Sequence, residues 1–167
     1  MLFTEEVKDM NELVEKLATF DKDFGKIKVA VVCFIFDKNG DLILNRRGPG
    51  ARDEIGKIQA IGGSVNNSDL NFKEAMYREL REEAGTNAQI ELEEFLGVQL
   101  DGKVDSLTKE WLNWIIIGYK GKLIDGEVEN TEPDRCAGFE RGKPESFKKE
   151  ELSLTVYNFI QKMLNDK

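Results

Sequence analysis

The sequence predicts an α/β fold in which a mixed β-sheet lies between helices. Three observations carry this. Residues 26–36 (KIKVAVVCFIF) form a near-continuous apolar run rich in β-branched side chains, the pattern of a strand buried on both faces. Residues 111–119 (WLNWIIIGY) form a second strong strand. Residues 71–84 and 152–164 instead carry apolar side chains three and four apart, the period of a helix with one buried stripe. The predicted order is helix, hairpin, short strand, helix, strand, strand, loop, helix, with no internal repeat. The 167 residues are enough for one domain with its own core. We read 1–167 as that domain, with 1–24 as an N-terminal helical extension and 25–167 as the core.

In chain order, residues 4–19 space Val7, Met10, Leu13, Val14 and Leu17 as a helix does, with Thr4 at its start. Its role is packing ahead of a dimer contact. After the strand 26–36, Asp37-Lys38-Asn39-Gly40-Asp41 holds an Asn-Gly hairpin signal, and 42–46 is the returning strand. Arg46 and Arg47 close that strand, either as a solvated end or as contacts to a phosphate or base. Residues 48–56 form a Pro/Gly loop, and 57–61 a short strand leading into Gly62-Gly63. The helix of 71–84 has Asn67, Ser68 or Asp69 as its expected cap and Gly85 as a left-handed terminator. A strand over 89–99 breaks near Gly97, and 101–109 is a polar loop. Trp111 and Trp114 are an odd number apart, so they fall on opposite faces of their strand, and one of them can face a pocket. Residues 120–142 read as a long acidic loop. In the last helix, Leu152, Val156, Phe159, Ile160, Met163 and Leu164 form a core stripe.

The net charge of −8 argues against a general nucleic-acid binder, which needs a basic footprint. It does not disfavour a small phosphate ligand, which local cations can hold. Two distant cysteines, Cys33 and Cys136, give no disulfide framework and point to a reducing, cytoplasmic setting. No signal peptide or membrane-spanning run is visible, so no membrane partner is expected. The chain has no histidine, which excludes Ser-His-Asp and Cys-His catalysis and His-ligated zinc. Acid–base work then falls to carboxylates, Lys, Tyr or a metal-activated water.

On the helix of 71–84, Met76, Tyr77, Leu80 and Ala84 gather on one face. Glu79, Glu82 and Glu83 gather on another, where their carboxylates can converge. They lie in the last turns, where the helix dipole is already negative. A divalent cation would relieve that repulsion, because Mg²⁺ takes carboxylate oxygens together with substrate phosphates. The competing reading is a solvated acidic face. What decides between them is the surrounding pattern: Gly62-Gly63, then Arg78-Glu79-Leu80-Arg81-Glu82-Glu83-Ala84-Gly85. This resembles the Nudix box, whose pattern is Gly, five residues, Glu, seven residues, Arg-Glu-apolar-any-Glu-Glu-any-Gly-apolar. The match has departures. The loop carries one extra residue after Gly63, Leu70 occupies the place of the first Glu with Asp69 beside it, and Thr86 fills the last apolar place.

The resemblance implies a Nudix-type α/β/α sandwich and a pyrophosphohydrolase. The implied reaction is hydrolysis of a diphosphate linkage in a nucleoside diphosphate joined to a group X, with a tilt toward (deoxy)nucleoside triphosphates from Glu132-Pro133-Asp134-Arg135-Cys136. It implies Mg²⁺, or Mn²⁺ in its place, held by Glu79, Glu82, Glu83 and the Gly62 carbonyl. Glu79 or a loop acid, Glu132 ahead of Glu129, would be the base. Arg46 and Arg47 would be the substrate contacts, and Arg78 would orient a ligand carboxylate. The partner is a small nucleotide, bound by a monomer or homodimer. The alternative is a catalytically weak Nudix-fold module that only binds a nucleotide. Isomerase chemistry on the same fold depends on histidine ligation and is disfavoured.

Overall fold

The computed structural model describes residues 3–7 and 26–166. Its elements are β1 (Phe3–Val7), β2 (Lys26–Phe36), β3 (Leu42–Arg47), β4 (Ile58–Gln59), β5 (Ile61–Ser64), α1 (Phe72–Ala84), β6 (Gln89–Val104), β7 (Trp111–Asp125), β8 (Cys136–Gly142), a short 3₁₀ turn at Pro144–Ser146, and α2 (Leu154–Asn165). The sheet runs in the order β1-β6-β7-β2-β3-β4, with β5 added to β2 and β8 to β3. The fold is an α/β sandwich with a mixed, curled sheet, as the sequence predicts.

β2 is the spine. It pairs in parallel with β7 along its whole length, from Lys26 opposite Leu112 to Phe36 opposite Lys122. Its other edge is shared. β5 takes Ala30 to Cys33, and the hairpin partner β3 takes only Ile35 and Phe36. Beyond that point β3 leaves β2 and pairs instead with β4 and β8. A cleft opens where the two parts of the sheet diverge.

The double burial of β2 follows from strand alternation. Val31, Cys33 and Ile35 face one layer, where they pack in one cluster with Met76, Leu80 and Ala84 of α1. Phe34 faces the other layer, packing with Val156, Phe159 and Ile160 of α2. Gly118 of β7 makes that second contact possible, since a β-carbon there would lie 2.5 Å from the Phe159 ring. The Phe159 and Phe34 rings meet at 5.3 Å, tilted by 50°. Burial pushes the Cys33 thiol well above its usual range, so it serves as packing.

The hairpin turn is the expected one, with Asp37 Oδ1 accepting from the Asn39 and Asp41 amides and Gly40 at φ +74°. Elsewhere the structure corrects the sequence reading. The helix expected over 4–19 begins with strand β1, which pairs with β6 from Phe3–Gly102 to Val7–Val98, and its remainder lies outside the described residues. The short strand does not stop before the glycine pair: Gly62 and Gly63 are the middle of β5, paired with Val32 and Val31. The cap of α1 is Asn71, whose Oδ1 accepts from the Glu74 amide at 3.0 Å, in place of Asn67, Ser68 or Asp69. Gly85 has φ +84° but ψ 171°, an extended conformation reserved for glycine and not the left-handed helical one. β6 does not end at Gly97 but continues to Val104, and the irregularity expected there is a shift of register against β7 between Phe95 and Gly97. The loop of 120–142 shrinks to 126–135 between the end of β7 and β8. Leu152 precedes α2, which Ser153 caps. Among the described residues, no helix is long and apolar enough to cross a membrane.

Leu80 is 4% exposed in the α1 layer. Leu80→Ala should therefore cost about 2–5 kcal/mol of stability. Denaturant titration would show a lowered midpoint, and an unchanged midpoint would mean that α1 buries a different face.

Candidate active site

The cleft between β5, the end of β3 and α1 has a volume of about 430 Å³. Its floor is Gly62 to Ser64. One wall is the acidic face of α1 and another is Arg47 and Arg52, while Glu132, Arg135 and Cys136 form the rim.

The floor must be glycine. A β-carbon on Gly62 would overlap the Val31 carbonyl oxygen of the neighbouring strand. One on Gly63 would lie 2.6 Å from the Glu79 carboxylate, which occupies that space. α1 can therefore lay a carboxylate directly on the backbone of β5. Glu79 is 7% exposed, and burial raises its pKa against the opposing pull of Arg78. Glu83 accepts from the Gly62 amide at 3.1 Å. Burial, only partly offset by that amide and reinforced by Glu79 and Glu132, pushes the Glu83 carboxyl up to about 7.

Arg78 organises this corner. Its Nε and Nη2 grip both oxygens of Asp69 at 3.0 Å, a two-point fork. Its Nη1 donates to Glu79 at 2.6 Å and to Glu82 at 3.2 Å, and its Nη2 also reaches the Ser64 carbonyl at 2.9 Å. Asp69, one place from the expected acid, is thus the partner that anchors Arg78.

The acids expected to converge do share the cleft, yet among the described residues no three of them close on one point. Arg78 draws Glu79 and Glu82, and the Gly62 amide holds Glu83. The donor chemistry still fits a hard divalent cation. The donors are all carboxylate and carbonyl oxygens, one of them seated in a cradle that a β-carbon would fill, and Glu83 is destabilised as an anion.

The arginine pair separates. Arg47 lines the cleft, fixed by the Asp53 carbonyl and carboxylate at 2.7 Å each and by Gln59 at 3.1 Å. Arg46 does not line it. Successive strand residues face opposite ways, and Arg46 binds Glu140 at 2.8 Å and the Gly56 carbonyl at 2.9 Å. The two loop acids also separate. Glu132 lines the cleft, in a turn where its carbonyl accepts from the Arg135 and Cys136 amides. Glu129 docks the loop on the end of α1, with its amide on the Ala84 carbonyl at 2.8 Å and its carboxylate on Asn87. Thr131 adds a hydrogen bond to the Glu82 carbonyl.

Arg52 was not legible in the sequence, being a lone cation in a loop without periodicity. It is fixed at the cleft by Asp105 of the β6–β7 turn, at 2.6 Å. Asp105 also accepts from the Leu107 and Thr108 amides at 2.9 and 2.8 Å. A second cavity, of about 230 Å³, opens beside the first and shares Arg47, Arg52 and the glycine floor. Trp114 is the tryptophan that faces it, whereas Trp111 binds Asn113 at 2.8 Å.

Fold and site together define an α/β protein with an oxygen-rich, arginine-walled cleft suited to phosphate groups. The model of the NUDIX domain matches residues 26–163, and the chain belongs to that family. Membership supports an enzyme of the Nudix pyrophosphohydrolase class. Solved structures agree on the fold. The chain is similar to the MutT protein of Methanosarcina mazei Go1 (21% identity, TM-score 0.67, covering 85% of this chain and 96% of that one). It is also similar to a MutT NUDIX hydrolase of Burkholderia pseudomallei (23%, 0.64, 81% and 97%). A third is the NUDIX domain of Shewanella oneidensis NrtR, solved in complex with ADP ribose (14%, 0.61, 92% and 97%). No curated protein matches the chain.

The Thr108 amide foremost, then the Leu107 amide and Arg52, hold the Asp105 carboxyl down to about 2, although burial works the other way. A carboxyl with a lowered folded pKa stabilises above its ordinary value, 3.8, and loses that contribution as pH falls toward 2. The melting-temperature gap between the native chain and Asp105→Asn should be constant from pH 7 to about 4 and narrow below it. A gap that stays constant down to pH 2 would contradict this anchor.

Proposed function

We propose that the chain hydrolyses a diphosphate linkage in a nucleoside diphosphate joined to a group X, with Mg²⁺ as cofactor and (deoxy)nucleoside triphosphates as the favoured class. The observation that carries this reading is the Glu79 carboxylate laid on Gly63, with Glu83 and Glu132 beside it and arginines on the opposite wall. Glu79, Glu82, Glu83 and the Gly62 carbonyl would hold the cation, in a family whose members generally use divalent metals. When bound, the ion supplies positive charge against the phosphate oxygens and acidifies water.

The residues of the chain account for the rest. Arg47 and Arg52 offer fixed guanidinium groups to the charge that builds on the diphosphate during attack. Glu132, on the rim and outside the Arg78 network, is the better placed base, and Glu79 is the alternative. Arg78 positions the ligand carboxylates. Cys33 and Cys136 as free thiols suit a reducing compartment such as the cytoplasm.

The test is product analysis on a panel of nucleoside diphosphate derivatives, with Mg²⁺ and with chelator. Cleavage should require the metal, and Glu82→Gln or Glu83→Gln should each lower it by roughly 10²–10⁴-fold. Neither side chain packs in the core, so thermal stability should hardly fall. Full activity in both variants would remove the metal-site reading.

A further inference from the structure

Five side chains from four segments close a ring beside the cleft. Arg47 of β3 donates to Asp53 Oδ1 at 2.7 Å. Lys103 of β6 pairs with Asp53 Oδ2 at 2.5 Å and lies 3.9 Å from Glu54. Gln59 of β4 donates to Glu54 at 2.6 Å and accepts from Arg47 Nη1 at 3.1 Å, which completes the circuit. All five line the second cavity, and of the five only Arg47 also lines the cleft.

Two carboxylates beside a cleft suited to phosphate repel the ligand that the cleft would hold. Asp53 is not placed to hold a metal or take a proton there, since it does not line the cleft and each of its oxygens is held by a cation. Nor does the ring supply surplus attraction, because its two carboxylates match its two cations. What it fixes is direction. The Asp53 carbonyl takes the Arg47 Nε, its carboxylate takes Nη2, and Gln59 takes Nη1. Three of the five N–H groups of Arg47 are thus bound, and two are left for a ligand.

Backbone bonds set the Asp53 loop independently of these side chains. The Arg47 amide donates to the Lys57 carbonyl and the Gly56 amide to the Arg47 carbonyl, both at 2.9 Å. The Lys57 amide donates to the Glu54 carbonyl at 3.0 Å. Glu54 takes φ +49°, uncommon for a residue with a β-carbon, and two neighbours in sequence both reach Lys103. Lys103 is steadied in turn by the Trp114 ring, whose centre is 5.9 Å away.

We propose that Asp53 is a positioning residue of the hydrolysis: it keeps the Arg47 guanidinium aimed at the diphosphate, and Lys103 keeps Asp53 in place for that task. Charge that builds on the diphosphate during attack then meets donors already oriented, with no rearrangement at that moment. The inference rests on the hydrolase reading for its reaction and adds the residue through which Arg47 is held to it.

The experiment is steady-state kinetics of the full chain in Mg²⁺ on the fastest-cleaved member of the nucleoside diphosphate panel, beside calorimetric titration with its methylene-bridged analogue. Asp53→Ala should lower kcat by roughly 10–100-fold. The analogue should bind no more weakly, because the lost carboxylate no longer repels it. In an Arg47→Ala background the same change should cost nothing further in kcat. Lys103→Met should lower kcat less, and again only where Arg47 is present; it carries the test if Asp53→Ala does not fold. An unchanged kcat in Asp53→Ala, losses that multiply in the double variant, or a fall in affinity as large as the fall in kcat would overturn the proposal. Cleavage by the native chain in those cases would leave the hydrolase reading intact. No cleavage of any panel member by the native chain would remove both.

Discussion

The site depends on one close approach, that of helix α1 to strand β5. The Glu79 carboxylate rests where the side chain of residue 63 would be, so the helix can present acids at the level of the strand backbone. Glu83 joins from the next position by its bond to the Gly62 amide, and Arg78 ties both ends of the arrangement to Asp69 and Ser64. Carboxylates late in a helix oppose its dipole and repel one another. Arg78 offsets this for Glu79 and Glu82. Glu83 is left with a raised pKa, a cost that a bound cation would remove.

The sheet places that contact. Because β2 is apolar on both faces, it holds α1 on one side and α2 on the other, and the pull of Met76, Leu80 and Ala84 into the core leaves Glu79 and Glu83 turned toward β5. Because β2 shares one edge between β5 and β3, β3 must swing away, and Arg47 arrives opposite the acids. The loop of 126–135 completes the rim through two fastenings. Glu129 and Thr131 hold it to the end of α1, and the Gly48 and Gly50 amides donate to the Arg135 and Asp134 carbonyls at 2.6 and 2.7 Å. Gly48 is the residue that allows the second fastening, since a β-carbon there would lie 2.6 Å from the Asp134 oxygen.

Periodic patterns were legible in the sequence, and contacts between distant segments were not. Residues 26–36 and 71–84 announced their type because burial imposes a repeat on their composition. β8 (CAGFERG) has two glycines and no clean alternation, and it becomes a strand by pairing with β3, so nothing local revealed it. The choice of Asn71 as cap was hidden among the five polar residues of 66–71, while Asp69 was claimed by Arg78 nine residues away. The acids of the helix were readable at once. That Arg47 and not Arg46 faces them depended on how β3 sits against β8 and β4, and Arg52 depended on Asp105 from a separate turn.

Whether Glu79 completes the proposed cation site depends on the bare backbone of residue 63, whose missing side chain leaves room for its carboxylate. Electron paramagnetic resonance of Mn²⁺ titrated into the native chain and into Gly63→Ala tests it most directly. The added methyl group must push the Glu79 carboxylate aside, so the variant should bind Mn²⁺ at least about tenfold more weakly while its fold, followed by circular dichroism, is retained. Equal Mn²⁺ affinity in the two proteins would place the cation elsewhere, away from Glu79.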